Sequence, residues 1–418
     1  MSAQLSRAGS GAVTGDKQEK CWWTKLPSAT AVAIIATCIV HFPVSAQGVG
    51  QSSPAAPEQA SQNIKIYDLA VKLAKEHFYD AELIDRKLSE VGERFRGEAT
   101  AATDLNQLYR VINRMLLEVG SSHSIATPAR RAGGERPTGG FLVERFGESY
   151  AVTDVVPGGP AAEAGVKRGW LWIAINDVPV SQLSRLGTVR ASEPQKFTFL
   201  DASDNEHHVY VQSRVLASRD IYVSSLSGGI TYIDLRKFDG ATTSALREAL
   251  KGNPAAAGIV LDLRRNPGGS GVELEFSIGS FFSRPVDAGY QVNRSGRRKK
   301  LEGFMWRSAR NAVPMVILTS QGTASAAEIF AHVLRHHGRA VLIGQKTAGA
   351  VLTPQFFPLL DTGTMSIPVA RYIGLDGEML EGRGVTPDIE VGMATLESLR
   401  AGRDLELEAA LEHLRAQR

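Results

Sequence analysis

Ser325 stands at the front of a helix-like run, SAAEIFAHVLRHH, directly behind the strand-like VPMVILTS and the loop QGTA. A serine there can do two kinds of work. Ser325 and Glu328 are spaced as in a capping box, in which the hydroxyl accepts a free N–H of the first helical turn. The same free N–H groups, with the positive end of the helix dipole, would stabilise an oxyanion formed beside a nucleophilic hydroxyl. On this stretch alone both readings stand, and capping is the plainer one.

A nucleophile needs a base. His332, His336 and His337 follow on the same helix, but at ~1.5 Å of rise per residue His332 lies about 10 Å up the axis and the others farther. Proton transfer works over about 3 Å or through one bridging water. The three therefore read as surface residues, with His336 and His337 suited to the negative end of the helix. Lys346 passes the distance test. If AVLIG runs parallel to the preceding strand, its carboxyl end returns to the edge where the Ser325 helix begins, and a buried lysine can act as a base.

The elements around Ser325 suit such a site. From about Ile221 the chain alternates apolar strand-like runs with helices: GITYIDLRKF, a helix from Thr242, GIVLDLR, the turn RNPGG, a helix from Val272, MVILTS, the Ser325 helix and AVLIG. This predicts an α/β domain with crossovers and its chemistry at the carboxyl ends of the strands. Pro267, Gly268 and Gly269 predict a sharp strand-to-helix connection. Upstream, IKIYDLAVKLAKEHFY, AELIDRKLSEVGERF and DLNQLYRVINRMLLEV carry helical periodicity and predict a small helical domain over 63–130. It ends at GSSHS, with Gly120 as C-cap; taken alone, GSSHS reads as a polar helix terminus.

Between these regions, GGFL (Gly139, Gly140, Phe141, Leu142), PGGPAAEAGV and a strand AINDVPV resemble a PDZ domain, over 136–218. The resemblance implies that Gly139 to Leu142 offer backbone N–H groups to a peptide C-terminal carboxylate, the peptide adding to a sheet edge. The implied partner is a polypeptide end.

GTASAAE, LDLRRNPGG and EGRGVTPD, in the chain behind that segment, resemble the serine peptidases of the C-terminal processing (tail-specific) and tricorn-core type, over about residues 65–395. The resemblance implies an α+β multidomain protein: a helical N-terminal domain, a PDZ domain, a crotonase/ClpP-like α/β catalytic domain over 219–395 and a C-terminal helix over 396–418. Members with a Ser/Lys dyad carry the lysine in a GKG element after a T-x-G turn. Here KTAGAV puts Ala350 at that position, and Lys346 lies four residues earlier. The tricorn-like branch takes a Ser-His pair from ahead of the PDZ insertion and a glutamate late in the catalytic domain. It implies Ser122 and His123, with His123 as the base for Ser325, and Glu381. It also implies an oxyanion hole from the Gly269 and Ala326 N–H groups. Glu381 keeps three roles open: orienting His123 through Ser122, binding substrate, or bracing the turn before Val385. No metal or organic cofactor is implied.

The competing readings are a peptide-binding protein without turnover, for which Ala350 is the best argument, a Ser325/Lys346 dyad, and an acyl-CoA enzyme of related architecture. The PDZ-like segment and an export signal argue against the last.

The 418 residues favour two or three compact units. Net charge is +3, and with four basic and two acidic residues in the first 46 the remainder carries +1. That gives no electrostatic case for nucleic acid. Arg294, Arg297, Arg298, Lys299 and Lys300 form one basic cluster, read as a solvated loop. Residues 1–46 place Lys20 and Lys25 ahead of an apolar run that ends in small residues at Ala46. This suits a secretory signal and a periplasmic or secreted protein, with an uncleaved N-terminal anchor and membrane association as the alternative. Cys21 and Cys38 are the only cysteines. Cleavage after Ala46 would remove both, and with them disulfides, thiol nucleophiles and cysteine-bound metal. Residues 47–62 read as a flexible linker.

Overall fold

The computed structural model describes residues 57–129, 137–183, 193–216, 219–305 and 313–417. The segment read as a secretory signal and the linker up to residue 56 lie outside the described residues. The last part of the linker expectation is corrected: helix α1 (Pro57–His77) begins inside it. Proline at the first helical position loses no hydrogen bond, because that N–H is unpaired in any helix. Nearly two turns on, Asn63 is buried and its Nδ2 donates to the Ala102 carbonyl, which ties the start of the helix down.

Helices α2 (Ala81–Thr100) and α3 (Leu105–Val119) are capped by the side chains of Asp80 and Asp104. Helix α3 stops at Gly120, which takes the left-handed conformation at φ 76°. The apolar faces of α1 to α3 meet in one core, but the helices do not close it alone. Ala126, Leu359, Met365 and Ile367 complete it. Strand β1 (Ile125–Pro128) leaves the helices and pairs antiparallel with residues 363–366, far down the chain.

Residues 137–183 and 193–216 contribute an antiparallel sheet around Val152, Trp172, Phe197 and Phe199. Its strands are β2 (Phe141–Phe146), β3 (Ser149–Val155), β4 (Leu171–Ile175), β5 (Val178–Pro179), β6 (Gln195–Leu200) and β7 (Glu206–Val211). The order is β2-β3-β4-β6-β7, with β5 paired to β4, so β2 is an edge strand. A short helix α4 (Pro160–Glu163) follows β3. The single strand expected over AINDVPV is instead a hairpin: Asn176 and Asp177 both take positive φ, and Ile175 pairs with Val178. Two left-handed residues make the tight turn that matches the strand twist, and Asn and Asp tolerate that conformation better than most residues.

The remaining chain builds two further sheets. The first contains β8 (Ile221–Leu226), β9 (Ile230–Leu235), β10 (Gly258–Asp262), β13 (Met315–Thr319), β14 (Val341–Gly344) and β17 (Ile389–Glu390), in the order β17-β14-β13-β10-β9-β8. From β9 to β17 the pairings are parallel. Every residue of β10 and β13 is buried, as expected of central parallel strands covered on both faces. Helices α5 (Thr242–Gly252), α6 (Gly271–Gly279) and α7 (Ala326–His336) cover one face. After α8 (Leu396–Arg400), helix α9 (Leu405–Ala416) packs Ala410 and Leu414 on the other, against Val260, Val316 and Leu318.

The second sheet joins β1 to β11 (Val286–Asn293), β12 (Arg298–Gly303), β15 (Thr353–Pro358) and β16 (Gly363–Ile373), with β16 between β1 and β11. Two expectations are corrected here. The basic cluster is not simply a loop: Arg298, Lys299 and Lys300 lie on β12, Lys300 pairs with Glu302, and Arg294 donates to the Phe78 carbonyl. His332 is buried rather than at the surface, its ring edge-on to Tyr372, because the α7 face that carries it packs inward.

Candidate active site

Strand β13 ends at Thr319, and a five-residue loop leads to Ser325 at the mouth of α7. Ser325 has φ 56° and ψ −122°. An ordinary N-cap residue adopts negative φ in the extended region. A β-substituted residue held at these angles costs on the order of 1–3 kcal/mol, and such strain concentrates where chemistry is done. The Ser325 hydroxyl lies beside the Glu328 N–H as in a capping box, but that N–H is directed at the Ser325 carbonyl oxygen, 3.0 Å away. The Glu328 carboxylate returns to the Ser325 N–H at 3.1 Å.

The NPGG turn after β10 is pressed against this serine. Gly268 takes φ 100°, and a Cβ built there would lie 2.6 Å from the Ser325 Cβ and 2.8 Å from the Ala326 nitrogen. Only glycine fits. Asn266 is fully buried and sets the turn: its Nδ2 donates to the Leu235 carbonyl, its Oδ1 accepts the Gly268 N–H, and its carbonyl accepts the Ala324 N–H. Phe238 bonds Gly268 and Ser270 on either side of Gly269. Neither the Gly269 nor the Ala326 N–H has a protein partner among the described residues. These two donors lie on segments that meet where Gly268 is pressed against Ser325 and Ala326.

GSSHS lies in the turn between α3 and β1. Ser366 on β16 donates its hydroxyl to the His123 carbonyl at 2.6 Å, and Ile125 pairs with Ser366. His123 itself takes φ 63°. Ser122 Oγ lies 2.8 Å from His123 Nδ1 and donates to Glu381 Oε2 at 3.0 Å, while the Ser122 N–H reaches Glu381 Oε1 at 3.1 Å. Because the Ser122 proton goes to the carboxylate, its oxygen must accept from Nδ1–H. This tautomer leaves the Nε2 lone pair free. Loss of hydration around the imidazole lowers its pKa to about 4, so it is neutral at pH 7.

The two groups of residues meet at Gly349, Ala350 and Val351. The Gly349 and Ala350 N–H groups donate to Glu328 Oε1 and Oε2, at 2.7 and 2.8 Å, and the Val351 N–H donates to Glu381 Oε2 at 2.8 Å. The Gly382 N–H bonds the Gly349 carbonyl at 2.8 Å. Lys346 is exposed and lacks the burial that a lysine base requires, so the structure does not support the Ser325/Lys346 alternative. His336 and His337 sit at the far end of α7.

In the middle sheet, the Gly139 and Gly140 carbonyls accept from Ala161 and Val156, and the Gly140 N–H donates to the Thr138 hydroxyl. Phe141 packs into the core, whereas Leu142 is 55% exposed on the edge strand. Sequence reasoning did not single out Asn266, Ser366 or Thr347 as parts of the site. Each is a small polar residue whose partner is distant in the chain, so local pattern carries no signal for it. Among the described residues no group of three His, Cys, Asp or Glu could hold a metal ion, and no helix is long and apolar enough to cross a membrane.

A strained serine at a helix N-terminus, pressed by a glycine turn in a mixed α/β multidomain fold, has the parts that serine-type acyl transfer requires. The family model described as "Peptidase family S41" matches residues 229–391. The carboxyl-terminal-processing protease of Synechocystis is 29% identical over 271 residues, 62% of this chain and 63% of the relative. The chain thus spans just under two thirds of that protein. The carboxy-terminal-processing protease of Bartonella bacilliformis is 29% identical over 329 residues, 73% of this chain and 74% of the relative. The solved photosystem II D1 C-terminal processing protease superposes with a TM-score of 0.54 at 22% identity, covering 84% of this chain and 97% of its own. The tricorn protease gives 0.52 at 19% identity, covering 85% of this chain and 37% of its own. These two likenesses show the fold.

Proposed function

We propose that this protein is an exported serine endopeptidase that cleaves polypeptides through an acyl-enzyme, with Ser325 as nucleophile and His123 as general base. The observation that carries the reading is the division of three consecutive N–H groups, 349 to 351, between Glu328 beneath Ser325 and Glu381 behind His123. It supports one site assembled from residues some two hundred positions apart.

The chemistry follows from the geometry. Neutral His123 takes the Ser325 proton on Nε2 as Oγ attacks the peptide carbonyl, and the charge forming on Nδ1–H is met by Ser122 and, through it, Glu381. The new oxyanion is taken up by the Gly269 and Ala326 N–H groups, each worth about 3 kcal/mol of barrier. The imidazolium then protonates the leaving amine. Water, deprotonated by the same imidazole, releases the acid product and restores Ser325. Ala350 stands where a dyad enzyme would hold its lysine, and a base arriving from GSSHS makes that lysine unnecessary.

Residues 137–216 act in this proposal as a PDZ domain. The unpaired edge of β2, the exposed Leu142 and the Gly139–Gly140 turn suit a peptide C-terminus added as a further strand. The Gly140 N–H is already held by Thr138, so the carboxylate would rely on the neighbouring donors. Export rests on the character of residues 1–46.

Treating the purified protein with a fluorescent fluorophosphonate tests the reading. Labelling that disappears in Ser325→Ala and is strongly slowed in His123→Ala supports it. Labelling under no condition favours a peptide-binding protein, and unchanged labelling of His123→Ala overturns the base.

A further inference from the structure

We propose that Glu328 is a positioning residue for catalysis, holding Ser325 in register with the His123 side of the site. This rests on the reading of Ser325 and His123 as nucleophile and base. Glu328 is fully buried at the third position of α7. Its Oε1 accepts from the Thr347 hydroxyl and the Gly349 N–H, and its Oε2 accepts from the Ala350 and Ser325 N–H groups. A helix cap accounts for one of these four donors, the Ser325 N–H. The other three lie on a loop 19 to 22 residues later, for which a cap has no use.

The loop is held on its other side as well. The Val385 N–H donates to the Thr347 hydroxyl oxygen at 2.7 Å, the Thr347 N–H donates to the Val385 carbonyl, and Val351 donates to Glu381. A hydrogen-bonded path therefore runs from the nucleophile backbone through Glu328 and residues 349–351 to Glu381, Ser122 and His123. Along it each carboxylate oxygen only accepts and each loop N–H only donates, so no proton needs to move. Burial pushes the Glu328 pKa up, and the four donors act in the opposite direction by favouring the charged form.

The isosteric variant Glu328→Gln breaks this pattern at either oxygen, because its NH2 group would face an N–H donor. Steady-state cleavage of fluorescein-labelled casein should then lose about 10²-fold in kcat with KM within about twofold, the effect of misplacing reacting groups by ~1 Å. A double-mutant cycle with Glu381→Gln separates positioning from bulk stability. If both carboxylates act through the same loop, the double variant loses no more kcat than the worse single. Multiplicative losses overturn the proposal. So does a loss of activity in Glu328→Gln that vanishes once corrected for the folded fraction in urea titration. If Glu328→Gln does not fold, Thr347→Val, which removes the hydroxyl that donates to Glu328 and accepts from Val385, should lower kcat about tenfold; unchanged kcat there overturns the proposal. Normal turnover in Glu328→Gln, with Ser325→Ala and His123→Ala inactive, refutes this inference alone. Turnover retained in Ser325→Ala refutes the underlying reading.

Discussion

Ser325 and His123 both sit at positive φ, yet they are held in opposite ways. Ser325 is fixed from beneath: β13 is wholly buried, α7 packs on the core, and the Asn266 turn presses Gly268 against its Cβ. His123 is fixed from the side, on the turn between α3 and β1, by the Ser366 hydroxyl and by Ser122 and Glu381. The first half depends on packing, which is dense and tolerates no added volume. The second depends on hydrogen bonds, which single polar substitutions can remove. Mutations should therefore separate the halves by kind: packing changes damage the serine side and polar changes the histidine side.

The largest effects come from removing either reacting group. Ser325→Ala and His123→Ala should each lower kcat by roughly 10⁴-fold or more, as in other triad-like sites, while Lys346→Ala stays within about twofold; casein turnover reads all three. A full loss in Lys346→Ala would restore the dyad. Next, Ser122→Ala and Glu381→Gln should cost about 10²- to 10⁴-fold in kcat, because the first removes the acceptor of Nδ1–H and the second the carboxylate that accepts the Ser122 proton, while the fold remains. Crystal structures of the variants with Ser325 unmoved would confirm that only the histidine side was touched. Gly268→Ala is the matching test on the serine side. Its Cβ would fall inside contact distance of Ser325 and Ala326. It should cut fluorophosphonate labelling about 10²-fold and shift the urea midpoint, a loss of stability that Ser122→Ala should not share.

A smaller effect concerns pH. The His123 pKa falls from 6.5 to about 4 on folding, through desolvation. Between those values the unfolded chain binds more protons, so this residue's contribution to stability is fully present above pH 6.5 and is lost as pH falls toward 4. His123→Gln should flatten the stability profile between pH 4 and 6.5, as urea titrations would reveal, and the acid limb of kcat/KM should fall near pH 4 rather than 6.5. The smallest effect belongs to the peptide edge: Leu142→Glu should raise KM a few-fold with kcat unchanged, and a change confined to kcat would argue against strand addition at β2.

Much of the serine side was legible in the chain. The strand, loop and helix around Ser325 are local, and the apolar runs of β10 and β13 announce buried parallel strands. The Gly120 stop and the Pro267-Gly268-Gly269 turn are likewise written in residues with special backbone freedom. The AINDVPV hairpin was missed although Asn176 and Asp177 are a local turn signal, whereas the inward face of His332 and the start of α1 at Pro57 were missed because each is decided by what packs against it. The histidine side was legible only by resemblance. GSSHS alone reads as a helix end, and no period or spacing links Ser122 to Glu381, 259 residues away.

What the sequence determined by itself is the set of parts: a serine at a helix mouth, a glycine turn after the neighbouring strand, and an alanine where a lysine base would be. What tertiary structure alone decided is their pairing. The β1–β16 register fixes the turn holding His123, and three backbone N–H groups divided between Glu328 and Glu381 link it to the Ser325 side. Such contacts depend on the folding of distant segments onto one another, and local residue preference does not encode them.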